Sequence, residues 1–335
     1  MPARSSGRGP AALRRLFPTR TPAFRTIVRT LEKLIDVDVN VLVTGESGSG
    51  KDYVAEALHA CGPRAARPFV RIDCASIPPE LFESELFGFE RGTFTDAKAS
   101  KPGRLESVRG GTLYLDELGS IPASLQAKLL RVIEQRQFTR LGGAEPITLD
   151  ARIVASASGP ASRGAGGHAL RGDLLYRLSV VTIELPPLRE RVDDIPALAR
   201  RFAREAAARH RRPRRPVAEE TLTLLTAYSW PGNVRELSSV IDRAVVLEEG
   251  GELSPASLPR ESLLRDDALL ASASRGLWTL AELERRYALA VLDSTGGNTS
   301  RAAKILGISR KTLIEKRRRW GASSVQYEAE IPRKS

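Results

Sequence analysis

The chain has 335 residues with a formal net charge of +12, 41% of them hydrophobic and 27% charged, which allows two or three domains around a sizeable core. No run approaches the ~18 apolar residues of a membrane span or forms the apolar core of a secretory signal. Cys61 and Cys74 lack metal-like spacing, so the expectation is a soluble cytoplasmic protein with two inert, buried thiols and no membrane partner.

The positive excess is local. Residues 1–30 hold seven Arg and no acid, and residues 301–320 hold eight Lys or Arg against Glu315 alone, which points to a polyanion partner. Residues 1–19 invite comparison with an organellar transit peptide but read as a basic disordered arm. The first strong element is the apolar run 41–44, which leads into Gly45-Glu46-Ser47-Gly48-Ser49-Gly50-Lys51-Asp52. Glycines at this spacing let the backbone curl so that its N–H groups cradle phosphate at the start of the next helix. Lys51 adds a full charge at the β- and γ-phosphates, so ATP is the expected ligand. Asp52 stands where the general pattern places a Ser or Thr to ligate Mg²⁺.

Run 69–73 reads as a strand, and run 112–115 as a further strand that ends in Asp116-Glu117. This is a Walker B pattern: Asp116 can hold Mg²⁺ directly or through water, and Glu117 can polarise an attacking water. Either motif alone could be a tight turn or a solvated helix cap. In this order, each after a strand, they indicate nucleotide hydrolysis. With further strands at 152–157 and 181–185 and helical patterns such as 123–135, the rhythm implies an α/β core with a parallel sheet over 20–187. Nucleotides bind such sheets at the carboxyl ends of the strands.

After Pro186-Pro187 the β signal stops, and 194–208, 219–227 and 233–247 read as helices of a small all-α lid over 188–249. The basic, Pro-rich run 209–216 is an inter-helix loop, and 250–276 reads as a linker. The last module spans 277–321, followed by a tail, 322–335. Gly307 permits a turn, and Ser309 is a good N-cap for a helix whose first turn carries Arg310, Lys311 and Thr312. This is a helix-turn-helix. Ser309, at the cap, belongs to the DNA-binding set; Arg310, Lys311 and Thr312 lie where base edges are met, while Lys316 and Arg317 to Arg319 are placed for phosphate. The preceding helix, 280–292, has apolar residues at helical spacing.

The segment Glu83-Ser84-Glu85-Leu86-Phe87-Gly88-Phe89-Glu90-Arg91-Gly92-Thr93-Phe94-Thr95-Asp96-Ala97 resembles the signature loop of bacterial enhancer-binding proteins, the AAA+ activators of sigma-54 RNA polymerase. The family hexapeptide is Gly-Ala-Phe-Thr-Gly-Ala. The likeness continues through Asp173-Leu174-Leu175-Tyr176-Arg177-Leu178 and Trp230-Pro231-Gly232-Asn233-Val234-Arg235-Glu236-Leu237, and so covers about residues 20–250. The last module is similar to the family's Fis-type domain.

The resemblance implies an ATP- and Mg²⁺-dependent ATPase that binds upstream DNA as a dimer, assembles into a hexameric ring and remodels sigma-54 polymerase holoenzyme in a bacterial cytoplasm, on the nucleoid when DNA-bound. Phe94 and Thr95 match the sigma-factor contacts, Arg171 and Arg177 the arginines offered to a neighbour's ATP, and Arg235 the lid arginine that senses the γ-phosphate. Asp52 becomes expected, since the family commonly has an acid there.

Four departures stand out: Thr93 and Asp96 in the hexapeptide, Ala157-Ser158 for the first-sensor Thr-Asn, and Asp73 for an Asn that restrains the Walker B glutamate. Asp73 is expected to crowd Glu117, and Ser158 to have a shorter reach. Residues 1–19 leave no room for the family's receiver domain, so control is expected from expression level, a partner or constitutive assembly. Two other readings stay open: a DNA-binding regulator whose core binds nucleotide without activating, and a remodeller of another protein.

Overall fold

The computed structural model describes residues 7–94, 97–158, 170–259, 278–295 and 297–327. Contacts divide the chain into two units that meet at Pro259 and Arg260, each described by itself.

In the first unit, α1 (Pro10–Leu16) and α2 (Pro22–Leu34) precede β1 (Val41–Gly45), α3 (Lys51–Cys61) and β2 (Phe69–Asp73). Next come α4 (Pro79–Phe87), the short antiparallel pair β3 (Gly88–Phe89) and β4 (Lys101–Pro102), β5 (Thr112–Asp116) and α5 (Ala123–Gln135). A second short pair, β6 (Gln137–Phe138) and β7 (Ile147–Thr148), leads to β8 (Arg152–Ser158), α6 (Gly172–Leu178) and β9 (Val181–Glu184).

Strands β2-β5-β8-β1-β9, in that order, form a parallel five-stranded sheet. Alternation along each strand separates two cores. Leu42, Leu113, Leu115 and Ile153 pack toward α4, α5 and α6, while Val41, Val43, Tyr114 and Val154 pack toward α1, α2 and α3. Burial on both faces explains why β5 reads as a nearly continuous apolar run. The register pairs Asp73 with Asp116 and Gly45 with Ser158, which gathers both nucleotide motifs at the carboxyl edge.

Three readings of chain ends and linkers need correction. The disordered arm does not extend through residue 19: α1 is a helix with Ala12 and Leu13 in the core, anchored by Gly9 N–H to the Cys61 carbonyl at 2.9 Å. Its arginines face outward, and Arg14 pairs with Glu32, while Leu16 and Phe17 pack against the same core, so a short apolar face docks a basic helix. Residues 1–6 lie outside the described residues.

The lid consists of α7 (Ile195–Arg209), α8 (Glu219–Ala227) and α9 (Asn233–Leu247), and it continues past 249. Leu253 and Leu258 are buried, Leu253 N–H donates to the Pro216 carbonyl at 2.8 Å, and Glu248 accepts from Gly250 N, Ser254 N and Ser254 Oγ at 2.7–2.9 Å. The linker reading therefore fails for 250–259, and 260–276 lie outside the described residues. The basic loop after α7 is tied to α9, Arg209 and His210 both meeting Asp242.

In the second unit, α10 (Leu280–Ser294), α11 (Thr299–Ile305) and α12 (Arg310–Tyr327) close on Ala288, Val291, Leu292, Ala302, Ala303 and Leu313. The small alanines at 302 and 303 allow the close crossing. Helix α12 runs on through 322–327, where a tail was expected; 328–335 lie outside the described residues. No described helix is long and apolar enough to cross a membrane.

Candidate functional site

The loop between β1 and α3 turns on left-handed glycines, with φ of 146° at Gly45, 75° at Gly48 and 103° at Gly50. At Gly48 the lid also forbids a side chain, because a Cβ would come 2.3 Å from the Gly232 carbonyl oxygen. Lys51 Nζ donates to the Gly45 carbonyl (3.0 Å), the Glu46 carbonyl (3.3 Å) and Ser158 Oγ (2.8 Å), and lies 3.4 Å from Glu117. Ser158 Oγ in turn donates to Glu117 Oε1 at 2.5 Å. Short as its side chain is, Ser158 at the end of β8 spans from the loop lysine to the Walker B glutamate. Ser49 Oγ is buried without a hydrogen-bond partner, an orphaned hydroxyl inside a loop whose shape suits phosphate.

Asp116 ends β5 under a dense set of donors. Its Oδ1 accepts from Ser156 Oγ at 2.6 Å and Tyr114 OH at 2.9 Å, and its Oδ2 meets Arg71. Burial pushes this carboxyl up, but the Ser156 and Tyr114 hydroxyls and the Arg71 charge more than offset it and hold the group below its usual range.

Glu117 sits at φ 56°, uncommon for a residue with a side chain, and its N–H is held by Ser156 Oγ at 2.9 Å. The Asp73 carboxylate, expected to crowd Glu117, turns back to accept from Ala75 N–H in its own turn at 3.1 Å. The donor set suits Mg²⁺, which takes one or two carboxylates together with substrate phosphates and needs no all-protein cage.

The lid closes the other side. Asn233, fully buried at φ 53°, donates to Glu46 (3.1 Å) and the Ser47 carbonyl (3.0 Å) and accepts from Leu188 N–H (2.7 Å). Arg189 grips Glu46 with two bonds of 2.6 and 2.8 Å, which holds that carboxyl below its usual range. Arg235 Nη1 reaches Ser47 Oγ at 3.1 Å. Between loop and lid lies a cavity of about 320 Å³ whose walls include Phe17, Phe24, Asp52, Tyr53, Phe202 and Arg235. Arg201, from α7, binds the Tyr53 hydroxyl at 2.9 Å and the Leu16 carbonyl at 3.3 Å, and Tyr53 OH also donates to that carbonyl.

Arg171 and Arg177 are exposed on α6 and its N-terminal edge. Arg171 pairs with Asp173 at 2.8 Å, and among the described residues neither arginine bonds to the Walker segments. In the signature loop Phe94 is 45% exposed and packs on Phe89 with ring centroids 4.8 Å apart. The Thr93 hydroxyl lies 2.6 Å from the Glu90 carbonyl and 2.9 Å from that of Leu141, bracing the loop base. Thr95 and Asp96 lie outside the described residues.

In the second unit Ser309 Oγ accepts from Thr312 N–H at 3.0 Å, the cap read from the sequence. Arg310, Lys311 and Arg317 are exposed, whereas Lys316 turns to Glu284 on α10 at 2.8 Å.

Ser156, Tyr114, Arg71 and Asn233 escaped the sequence reading. The period-2 pairing of Ser156 with Ser158, both polar in an apolar strand, is the signal that could have found one of them.

Residues 17–184 match the Sigma-54 interaction domain, 189–273 the AAA+ ATPase lid domain, and 279–320 the Fis family of bacterial regulatory proteins. The chain belongs to the sigma-54 interaction domain family. It is 42% identical over 299 residues to the transcriptional regulatory protein ZraR of Klebsiella oxytoca, covering 88% of this chain and 67% of that protein. Over 336 residues it is 40% identical to the DNA-binding transcriptional regulator NtrC of Rhizobium meliloti, covering 91% and 69%. The crystal structure of NtrX from Brucella abortus in complex with ADP superposes with a TM-score of 0.68 at 33% identity, covering 91% of this chain and 70% of that one. Membership in this family makes the chain a sigma-54-type transcriptional regulator with an ATP-binding AAA+ core and a Fis-type DNA-binding module.

Proposed function

We propose that this chain is an ATP-driven activator that binds upstream DNA through its Fis-type module, assembles as a ring and opens sigma-54 polymerase complexes. The observation that supports it most is the continuous chain of contacts Lys51–Ser158–Glu117, with Arg235 reaching the same loop from the lid.

The Gly45–Lys51 backbone would hold the phosphates, and the apolar cavity wall would take the base. Asp116 would hold Mg²⁺, whose charge neutralises the phosphates. Lys51 satisfies itself on loop carbonyls and Ser158; turning it to phosphate would remove a positive charge from Glu117. That would leave Glu117 bonded to Ser158 alone, able to accept a proton from attacking water. Arg171 and Arg177, exposed away from their own Walker segments, suit a neighbouring subunit's site, where an arginine can contribute about 10³–10⁵ in rate. Phe94, exposed beside a braced loop base, suits a contact with the sigma factor.

The test is open-complex formation by purified sigma-54 holoenzyme with Mg-ATP on a promoter carrying the upstream site, comparing wild type with Lys51→Ala and Thr95→Ala. Opening by wild type alone is the expected result. Hydrolysis without opening would make the machine a remodeller of another target, and neither would leave a DNA-binding regulator.

A further inference from the structure

The Walker B carboxylate already carries a cation of the protein's own. Two neutral hydroxyls, from Ser156 and Tyr114, take Asp116 Oδ1, and the Arg71 guanidinium takes Oδ2, the oxygen left for a metal. The other arm of the same guanidinium lies 3.5 Å from Asp52 Oδ2, and its carbon sits 5.7 Å from the Tyr114 ring centroid. One cation therefore spans the acid after the loop lysine and the acid at the end of β5. Arg71 stands on β2, the sheet's edge strand, with its side chain 40% exposed. A guanidinium so placed can leave Asp116 without stranding a charge in the core, because water and Asp52 remain to receive it.

We propose that Arg71 is a resident counter-cation. In the nucleotide-free protein it occupies the metal-facing oxygen of Asp116, and it shifts onto Asp52 when Mg²⁺ arrives with nucleotide phosphate. The inference rests on reading Asp116 as the metal ligand. Its consequence is that the free divalent ion is kept off Asp116 and gains the site only when phosphate oxygens supply the rest of its shell. A single positive charge within a few ångströms of a divalent ion repels it strongly even through partly aqueous surroundings.

The test is Mn²⁺ binding to the nucleotide-free full chain, read from the electron paramagnetic resonance signal of the unbound ion. Arg71→Gln should raise Mn²⁺ affinity about tenfold or more, Arg71→Lys should stay near wild type because it keeps the charge, and adding Asp116→Asn to Arg71→Gln should erase the gain. Equal Mn²⁺ affinity in wild type and Arg71→Gln would overturn the proposal while leaving the metal site intact. A separate arm with ATP present checks the foundation. If Asp116→Asn leaves Mn²⁺ binding to the ATP-bound protein unchanged, the metal-site reading fails and the role of Arg71 falls with it.

Discussion

Ser156→Ala isolates a residue that touches both Walker B acids yet stands outside every nucleotide motif. The wild-type hydroxyl is fully buried, donates to Asp116 at 2.6 Å and accepts from Glu117 N–H at 2.9 Å. Losing a bond to a charged group costs about 1.5–3 kcal/mol, and losing the partner of a half-buried N–H about 1 kcal/mol more. The total, about 2.5–4 kcal/mol, should lower the melting temperature of a unit of this size by about 5–16 °C. Glu117 would also lose the tie that holds it at φ 56°, so ATP turnover should fall further than the stability loss explains at a temperature where the variant is folded. Calorimetry on the full chain should show the first unit's transition shifted and the DNA-binding unit's unchanged. A shift under about 1 °C would refute the claim that this hydroxyl organises the Walker B turn.

Three further outcomes follow from the geometry. Gly48→Ala must place a side chain at φ 75° and 2.3 Å from the Gly232 carbonyl, which costs about 1–2 kcal/mol in backbone strain alone; a fluorescent ATP analogue should bind at least about tenfold more weakly, and unchanged affinity would show that loop and lid do not meet this tightly. Glu248, held near a pKa of about 2 by the Ser254 and Gly250 N–H groups against an ordinary 4.5, adds stability above pH ~4.5 that disappears as pH falls toward its folded value. Discounted for exposure, the contribution is about 1 kcal/mol, so denaturant midpoints of wild type and Glu248→Gln should differ at neutral pH and converge in acid. Lys316→Ala should destabilise the second unit, because it breaks the contact with Glu284, and leave the salt dependence of DNA binding nearly unchanged. Arg318→Ala should reduce that slope by about 1, and equal slopes in an anisotropy titration would undo the distinction.

The central strand at 112–115 was legible because a strand covered on both faces must be apolar nearly throughout, whereas the edge strand at 69–73 keeps Arg71 and Asp73 and was read from its short β-rich run between turns. The loop at 45–51 was legible because a phosphate cradle needs glycine at fixed offsets. What escaped was placed by the fold rather than by pattern. Arg71 is an ordinary arginine on an ordinary strand until parallel pairing sets β2 beside β5. Asp73 looked like a threat to Glu117 because the resemblance places a restraining Asn there, but residue identity says nothing about which way a carboxylate turns, and its own turn offered the Ala75 N–H. The helix at 10–16 was hidden by its arginines: a composition that reads as disorder still folds when Ala12, Leu13 and Leu16 share a face that meets the core.

The contact of Tyr53 and Arg201 with the Leu16 carbonyl makes the segment before α2 a wall of the nucleotide cavity rather than a lead-in to the domain. A base held in that cavity, as proposed, would lie against Phe17 of this segment as well as against α3 and the lid.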